Sequence, residues 1–296
     1  MRKTLGFLAV LLLVSGCTAT SQGGAPNDSA PSDTGTESIS GDDAISVALP
    51  PTTGFFDYQL GGASTPDADG GVLARDSSDL PEPGFFNICY VNGFQTQPSE
   101  AEQWLASEGD PILRDENGEP VIDPEWPDEM ILDPSTEAKR SAILSLMEPV
   151  LHGCAEAGFD AIEIDNLDTW TRFDSPTTGQ IDEEGALTLA RSYVEIAHGL
   201  DLAIGQKNAA ELAEIGHTEL GFDFAVTEEC SVYAECGAYT SVYGEHVLQI
   251  EYLDSLELPF DEVCSDPDSA PLTILRDRDL TTPSSPEYFY EQCPIP

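Results

Sequence analysis

The segment 158–170 constrains the fold of this chain more than any other part of its sequence. Two apolar residues, Ile162 and Ile164, alternate in it with two acids, Glu163 and Asp165. This repeat of two residues predicts a β-strand. The flanking patterns are helical, so the strand is expected to be parallel and buried on both faces. Burying a carboxylate is costly, and carboxylates at the C-terminal end of a barrel strand usually serve chemistry. A salt-bridged strand end or a loop cap is the alternative explanation.

Strand-like and helical patterns alternate through the rest of the chain. Seven further strands are predicted, at residues 55–60, 86–91, 130–133, 202–208, 222–228, 246–251 and 272–276. Helices are predicted at residues 100–107, 135–157, 182–199 and 209–215. The region 110–128 is rich in Pro, Asp and Gly, which predicts a long functional loop. Eight strands with helical or irregular returns predict an α/β fold, a single (β/α)8 TIM-type barrel.

The first 17 residues resemble a lipoprotein signal peptide. Arg2 and Lys3 precede an apolar run too short to span a membrane, and the run ends in Ser-Gly-Cys, which resembles a lipobox. This motif implies export and lipidation of Cys17, with an ordinary cleaved signal as the alternative. Residues 18–50 are mostly small and polar, which predicts a disordered linker. Residues 51–296 are expected to form the barrel domain.

The chain is strongly acidic, with 55 Asp and Glu against 11 Lys and Arg and a formal net charge of −44. Removal of the signal peptide takes away Arg2 and Lys3 and no acid, which leaves 9 bases and a net charge of −46. This charge excludes nucleic acid and anionic membrane surfaces as partners, so the lipid anchor is the only membrane contact expected. It would attract a cationic substrate, but adaptation to high salt explains it equally well. We expect a monomer.

Six cysteines remain besides Cys17, and an even number in an exported chain indicates disulfides. Cys230 and Cys236 are close enough in sequence to pair across a short loop, while the other pairings stay open. There is no CxxC spacing and the four histidines are scattered, so neither a metal site nor a cofactor is expected.

Polar side chains stand at or just past the end of almost every predicted strand, and in a barrel these ends converge on one face. They are Gln59, Tyr90, Asp133, Asp165, Asn166, Lys207, Asn208, Glu228, Glu251, Tyr252, Arg276 and Asp277. Polar strand termination alone does not easily explain so many carboxylates and amides following apolar strands.

Several acids, amides and one lysine, without a Ser–His pair or a metal set, suggest sugar chemistry. Glycosidic hydrolysis needs two carboxyl groups, one to protonate the leaving oxygen and one to act as nucleophile or base. Crowding of like charges raises the pKa of one carboxyl in such a pair. Flat side chains can pack against sugar rings, and the aromatic candidates are Tyr58, Tyr90, Trp126, Trp170 and Tyr252.

Six motifs occur in an order that resembles glycoside-hydrolase family 114, the endo-α-1,4-polygalactosaminidases and their relatives. Each motif is weak alone, and the series runs from Phe55 to Cys264. The motifs are YQLGG at 58–62, ICY at 88–90, GFD with EIDNLD at 158–168, GQKN at 205–208, DFAVTEEC at 223–230 with EC at 235–236, and EY at 251–252.

The resemblance implies a barrel that cleaves galactosamine-rich exopolysaccharide without a metal. It places the two catalytic carboxylates on Asp165 and Glu228, with Asp165 as nucleophile or base and Glu228 as general acid/base, or the reverse. Substrate-binding roles are expected for Tyr58, Gln59, Tyr90, Asp133, Glu163, Asn166, Asp168, Lys207, Asn208, Glu251 and Tyr252.

Several positions depart from the family pattern. Thr227 stands for its usual Asn, Glu229 for its Gln and Ile164 for a common Pro, and residues 91–96 lack its usual small-residue turn. These changes spare both acids but leave the substrate open. The alternatives are a barrel that binds carbohydrate without turnover, an endo-glycosidase for another amino-sugar polymer, and a structural lipoprotein.

Overall fold

The computed structural model describes residues 47–294, and its centre is a barrel of eight parallel strands. The strands are β1 Phe55–Gln59, β2 Gly71–Asp76, β3 Phe86–Asn92, β4 Ala161–Asp165, β5 Ala203–Lys207, β6 Phe224–Glu228, β7 Val247–Tyr252 and β8 Leu272–Arg276. Each strand pairs in parallel with the next one along the chain, from β1 to β8. The (β/α)8 architecture expected from the sequence is confirmed.

A ninth strand, β9 (Tyr290–Gln292), pairs antiparallel with β8 beside the seam between β8 and β1. Side chains bridge that seam in place of a backbone ladder. The Gln292 amide accepts from the Phe56 N–H at 3.2 Å and donates to the Gly54 carbonyl at 2.8 Å. The Arg276 guanidinium donates to the Tyr58 carbonyl at 2.6 Å. Backbone groups that a closed ladder would satisfy are therefore paired by side chains.

Helices cover the outside of the barrel between most strands. They are α1 Ala101–Ala106, α2 Glu137–Ala157, α3 Thr169–Arg172, α4 Glu183–Gly199, α5 Ala213–Ile215, α6 Cys230–Tyr233, α7 Cys236–Tyr243 and α8 Phe260–Ser265. Short 3-10 turns occur at Pro98–Glu100 and Ala210–Leu212, a π-helical turn at Gly216–Leu220, and a two-residue ladder joins Asp174–Ser175 to Gly179–Gln180.

The two long helices begin and end where the sequence indicates. The Thr136 hydroxyl accepts from the Lys139 N–H at the start of α2, and the Asp182 carboxylate accepts from the Gly185 N–H at the start of α4. The α2 helix ends at Gly158, whose φ of 95° is the left-handed conformation that glycine adopts at little cost. This turn leads directly into β4.

One barrel strand was not predicted from the sequence, and one predicted strand is not part of the barrel. The segment Gly71–Asp76 is the second barrel strand, although only three apolar residues between two glycines and an Arg-Asp pair mark it. Residues 130–133 are not a barrel strand. They make isolated bridges to the long loop before α2, with Ile131 opposite Gln95 and Leu132 opposite Ile112. The apolar pattern at 130–133 reflects packing within that loop.

The predicted signal peptide (1–17), lipidation at Cys17 and most of the predicted linker (18–50) lie outside the described residues. The last linker residues contact the barrel, because the Pro50 carbonyl lies 3.1 Å from Nδ1 of His246. Within residues 47–294, no helix is both long enough and apolar enough to cross a bilayer.

Two apolar layers follow from the strand period of two. Inside the barrel, alternate residues such as Phe56, Ile88 and Val226 form one buried cluster. The intervening residues, such as Ile162 and Ile204, pack against the helices in a larger cluster. A side chain's position in this alternation therefore decides whether it faces the lumen or the helical layer.

Three disulfides join the six described cysteines: Cys89–Cys154, Cys230–Cys236 and Cys264–Cys293. The predicted Cys230–Cys236 pair is confirmed. Cys89–Cys154 fastens β3 to α2 in the helical layer.

We expect loss of Cys89–Cys154 to destabilise the fold more than loss of Cys230–Cys236. The first closes 65 residues of sequence and the second only 6, and the chain-entropy estimate is ~4 against ~2 kcal/mol. Urea unfolding of the two double-alanine variants measures the difference. Equal losses, or a larger loss for the short loop, would contradict this order.

Candidate active site

Seven of the predicted site residues share the lumen-facing alternation at the C-terminal ends of the strands. Their side chains contact one another in a single cluster, which we term the lumen cluster: Tyr58, Tyr90, Glu163, Asp165, Lys207, Glu228 and Tyr252. Six different strands supply them. Only closure of the barrel brings residues so distant in sequence together.

Lys207 is the centre of the lumen cluster. Its Nζ lies 3.1 Å from Oε1 of Glu163, 3.6 Å from Oδ1 of Asp165 and 3.2 Å from Oε2 of Glu228. It also donates to the Tyr58 hydroxyl at 2.8 Å. The side chains of Lys207 and Glu163 are fully buried, whereas 18% of the Asp165 side chain and 24% of the Glu228 side chain are exposed. Within the lumen cluster, Asp165 and Glu228 are therefore the two carboxylates that a substrate can reach.

Each carboxylate also accepts a hydrogen bond from one tyrosine. Tyr58 donates to Glu163 at 2.6 Å and Tyr90 donates to Asp165 at 2.6 Å. Tyr252 donates to Glu228. Burial, followed by the neighbouring carboxylates, raises the pKa of Tyr58, Tyr90 and Tyr252 well above the ordinary tyrosine value. The three phenols therefore remain protonated donors at any physiological pH.

Two asparagines directly after strands orient the exposed acids. Asn208 has a φ of 49°; its Oδ1 accepts from the Glu228 N–H at 2.8 Å, and its Nδ2 lies 3.4 Å from Oε2 of Glu228. Asn166, with a φ of 65°, donates its N–H to Oδ1 of Asp165 at 2.8 Å. Asparagine tolerates this left-handed conformation better than most residues. Both turns aim polar groups at the strand ends.

Arg278 holds Tyr252 from the outer side. Its guanidinium lies 4.2 Å from the centre of the Tyr252 ring and pairs with Glu229 at 2.7 Å and with Asp254 at 2.8 Å. The family departure at Glu229 thus has a structural consequence, because its carboxylate anchors the cation that packs on Tyr252.

The charges in the lumen cluster influence one another. Burial would lower the pKa of Lys207, but Asp165, Glu228 and Glu163 outweigh it and raise that pKa well above the ordinary value. Burial also raises the pKa of the Glu163 carboxyl to about 7, against the opposing effects of Lys207 and Tyr58. Oε2 of Glu163 accepts no hydrogen bond from any described residue. The site therefore holds a permanent ammonium beside a carboxyl that titrates near neutrality.

We expect part of the pH dependence of stability to disappear in Glu163→Gln. Unfolded Glu163 releases its proton near pH 4.5 and folded Glu163 near pH 7. Its contribution to stability is thus complete below about pH 4.5 and is lost as the pH rises through about 7, by on the order of 3 kcal/mol. Urea unfolding of both proteins between pH 4.5 and 8 measures this. If the unfolding free energies of the two proteins followed parallel curves against pH, the pKa of the Glu163 carboxyl would not be shifted in the folded protein.

Four predicted substrate-binding residues have their side chains engaged away from the lumen cluster. Gln59 faces outward, donates to Asp57 at 2.9 Å and accepts from Arg75 at 2.9 Å. Asp133 pairs with Lys139 at 2.5 Å in the turn before α2. Two further side chains are engaged elsewhere: Asp168 lies 3.4 Å from Arg172, and Glu251 accepts from the Ser231 N–H at 3.0 Å in the helical layer.

Sequence reasoning missed a second polar network beside Asp165. Asn92 lies opposite Asp165 in the β3–β4 register. The other members come from the segment between β3 and α2, from the turn after β4 and from α3. The network consists of Asn92, Gln95, Asp123, Glu129, Asn166 and Arg172. The predicted functional loop 110–128 was the available signal, since it contains Asp123 and ends one residue before Glu129.

Among residues 47–294, one His, Cys and acid grouping is compact enough for a metal ion, namely Cys230, Cys236 and Glu251. The two sulfur atoms are bonded to each other. A disulfide therefore accounts for this grouping, and a bonded pair of sulfurs offers no thiolate ligand.

The family comparison agrees with the geometry of the lumen cluster. The model of glycoside-hydrolase family GH114 matches residues 37–295, which is most of the chain. The chain belongs to family GH114. It is therefore a glycoside hydrolase, and the family resemblance inferred from the motifs is confirmed.

One solved structure has the same fold. Ega3 from Aspergillus fumigatus, solved in complex with galactosamine, is 19% identical at a TM-score of 0.63, and the match covers 84% of this chain and 98% of Ega3. Weaker similarity extends to sucrose 6F-phosphate phosphorylase from Thermoanaerobacter thermosaccharolyticum, 11% identical at a TM-score of 0.44, over 75% of this chain and 65% of that enzyme. A search of curated protein sequences found no match.

Proposed function

We propose that this GH114 protein is an endo-glycosidase that cleaves internal α-1,4 bonds of a galactosamine-containing exopolysaccharide. The observation that carries the proposal is the lumen cluster, in which two reachable carboxylates, Asp165 and Glu228, share one buried lysine. The family supports the reaction class, and the galactosamine bound to Ega3 supports the substrate class.

The separation of the two carboxylates favours retention of configuration. Because Asp165 Oδ1 and Glu228 Oε2 lie 3.6 and 3.2 Å from the same Nζ, they are at most 6.8 Å apart. Retaining glycosidases hold their carboxyls about 5–5.5 Å apart, and inverting enzymes about 6.5–9.5 Å apart. This upper limit excludes most of the inverting range, whereas the whole retaining range lies within it.

The proposed mechanism has two steps. Glu228 donates its proton to the glycosidic oxygen while a carboxylate oxygen of Asp165 attacks the anomeric carbon, so the C–O bond to the leaving sugar breaks as the glycosyl ester forms. Glu228, now ionised, takes a proton from water, and the resulting hydroxide displaces Asp165 from the anomeric carbon. Tyr90 and Lys207 hold the oxygens of Asp165 in place, and Tyr252 and Asn208 hold those of Glu228.

The charge of the chain suits a polymer with free amino groups. Galactosamine residues carry ammonium groups when they are not acetylated, and a net charge of −44 attracts them over long range. An acidic surface adapted to high salt would also attract such a polymer, but the attraction would have no role in substrate binding. The salt dependence of cleavage separates the two explanations, because screening weakens long-range attraction.

We also propose that the protein is exported and held at the membrane by a lipid on Cys17. The support is the lipobox-like Ser-Gly-Cys sequence together with three disulfides, which form and persist in oxidising compartments. Mass spectrometry of the N-terminal peptide from native membranes tests this, since a free, unlipidated N-terminus beyond residue 17 would contradict it.

The function is tested by incubating the protein with partially deacetylated α-1,4-galactosamine polymer in low and high salt. We expect new reducing ends and a rapid fall in viscosity, since internal cleavage shortens chains quickly. A folded protein that binds the polymer saturably but releases no reducing ends would instead be a binding barrel. Neither binding nor release, at any salt concentration, would point to a different glycan.

A further inference from the structure

The turn Asp123–Glu129 is hydrogen-bonded, through Glu129, to the strand end opposite Asp165. Its two ends pair through the Asp123 N–H and the Glu129 carbonyl at 3.0 Å. The Asp123 carboxylate, which is buried, accepts from the N–H of Glu125 at 2.8 Å and from Arg172 at 2.7 Å. This turn presents Trp126, 60% exposed, whose flat apolar face can pack against a sugar ring.

The Glu129 carboxylate is tied to the strand end that carries Asp165. Asn92, which lies opposite Asp165 across β3 and β4, donates to Oε2 of Glu129 at 2.9 Å. The Asn92 Oδ1 in turn accepts from the Asn166 amide at 2.9 Å. Glu129 is therefore hydrogen-bonded to the residue that lies opposite Asp165, at the same end of the barrel.

No described cation pairs with Glu129. The nearest guanidinium, that of Arg172, is engaged by Asp123 at 2.7 Å, by Asn166 at 2.8 Å and by Asp168 at 3.4 Å. Burial, together with Asp165 and Asp123, raises the pKa of the Glu129 carboxyl to about 7, although the Asn92 amide opposes this shift. A half-buried carboxylate among other acids is costly unless a cation joins it.

A second acceptor in the same network also lacks a donor. Gln95 is 1% exposed and donates its Nε2 to Asp123 at 2.8 Å and to Asn166 at 3.1 Å, which fixes the orientation of its amide. Its Oε1 accepts no hydrogen bond from any described residue. Acceptors therefore outnumber donors around Glu129, and an ammonium group supplies both three donors and the missing charge.

We propose that Glu129 is a specificity-determining residue that pairs with the ammonium group of an amino sugar bound beside Asp165. This inference rests on the proposed function and deepens it, because it names the ammonium group as the chemical group that the site recognises. The ammonium is present on a deacetylated sugar and absent from an N-acetylated one. Glu129 therefore favours the deacetylated polymer over the acetylated one.

The test measures binding without turnover, in the full-length Glu228→Gln variant, to α-1,4-galactosamine polymer and to the same polymer after complete N-acetylation. Adding Glu129→Gln keeps the oxygen that accepts from Asn92 and removes only the charge. We expect binding of the deacetylated polymer to weaken about tenfold or more, and binding of the acetylated polymer to change less than about twofold. The difference shrinks in ~1 M salt because charges are screened.

Glu125→Gln is the matched control, since Glu125 is exposed on the same turn and undergoes the same loss of charge. It should leave the affinity for both polymers unchanged. Equal weakening by Glu125→Gln and Glu129→Gln, or equal affinity of the Glu129→Gln variant and its parent for the deacetylated polymer, overturns the inference while leaving the proposed function intact. Failure of the parent to bind either polymer overturns both.

Discussion

Glu228→Gln and Asp165→Asn are each expected to lower kcat on the galactosamine polymer by about 10³-fold or more, because each removes a group that reacts directly with the substrate. Both changes are isosteric, so hydrogen-bonded neighbours such as Tyr90 and Tyr252 keep a partner oxygen. Single-turnover release of reducing ends measures the loss, and calorimetric binding shows whether the substrate still binds.

Glu251→Gln is the control for this pair of variants. Glu251 is a buried acid on the neighbouring strand β7, but its side chain lies in the helical layer beside Ser231 and Gln249. We expect its replacement to change kcat by less than about threefold, because it does not touch the lumen cluster. A loss at Glu251 comparable to that at Glu228 would mean that the reacting carboxylates have been misassigned.

Lys207→Met is expected to reduce both stability and activity. Removing one partner of a buried ion pair costs ~3–5 kcal/mol because it leaves uncompensated charge. Here three carboxylates lose their shared cation. The loss should be larger at pH 8 than at pH 5, since Glu163 is mainly ionised only above about pH 7. Urea unfolding at both pH values measures it.

Lys139→Met provides the matched control, because Lys139 is the other lysine within the described residues. Its ion pair with Asp133 is partly exposed, with 23% of the lysine side chain accessible, and such pairs contribute about 0–1 kcal/mol. Adding Glu163→Gln to Lys207→Met should restore part of the lost stability by removing one uncompensated carboxylate. Similar losses for the two lysine variants would contradict a central role for Lys207.

The strand ends that carry the proposed reacting residues, Asp165 and Glu228, could be located from local pattern, and the family resemblance selected these two acids among the polar strand ends. Alternation in β4 and the position of polar residues at strand ends do not require knowledge of distant contacts. The same alternation separates Tyr58, which faces the lumen, from its neighbour Gln59, which binds Arg75 on the outside. Position at a strand end therefore does not by itself predict that a side chain faces the lumen. The two-residue period of the strand predicts it better.

The network around Glu129 could not be predicted from the sequence. Its members Asn92, Asp123 and Arg172 come from a strand, a long loop and a short helix, and only tertiary contacts join them. The strand β2 could not be predicted for a different reason. Its residues Gly71–Asp76 contain a glycine, an arginine and an aspartate, so propensity is weak and pairing with β1 and β3 decides the structure.

The most direct test of the account is a crystal structure of the Glu228→Gln variant with a bound α-1,4-galactosamine oligomer. We expect one glycosidic oxygen within hydrogen-bonding distance of the residue 228 side chain, and the adjacent anomeric carbon ~3–3.5 Å from a carboxylate oxygen of Asp165. An oligomer bound in the lumen whose glycosidic bonds all lie beyond reach of both side chains would contradict the assignment of Asp165 and Glu228.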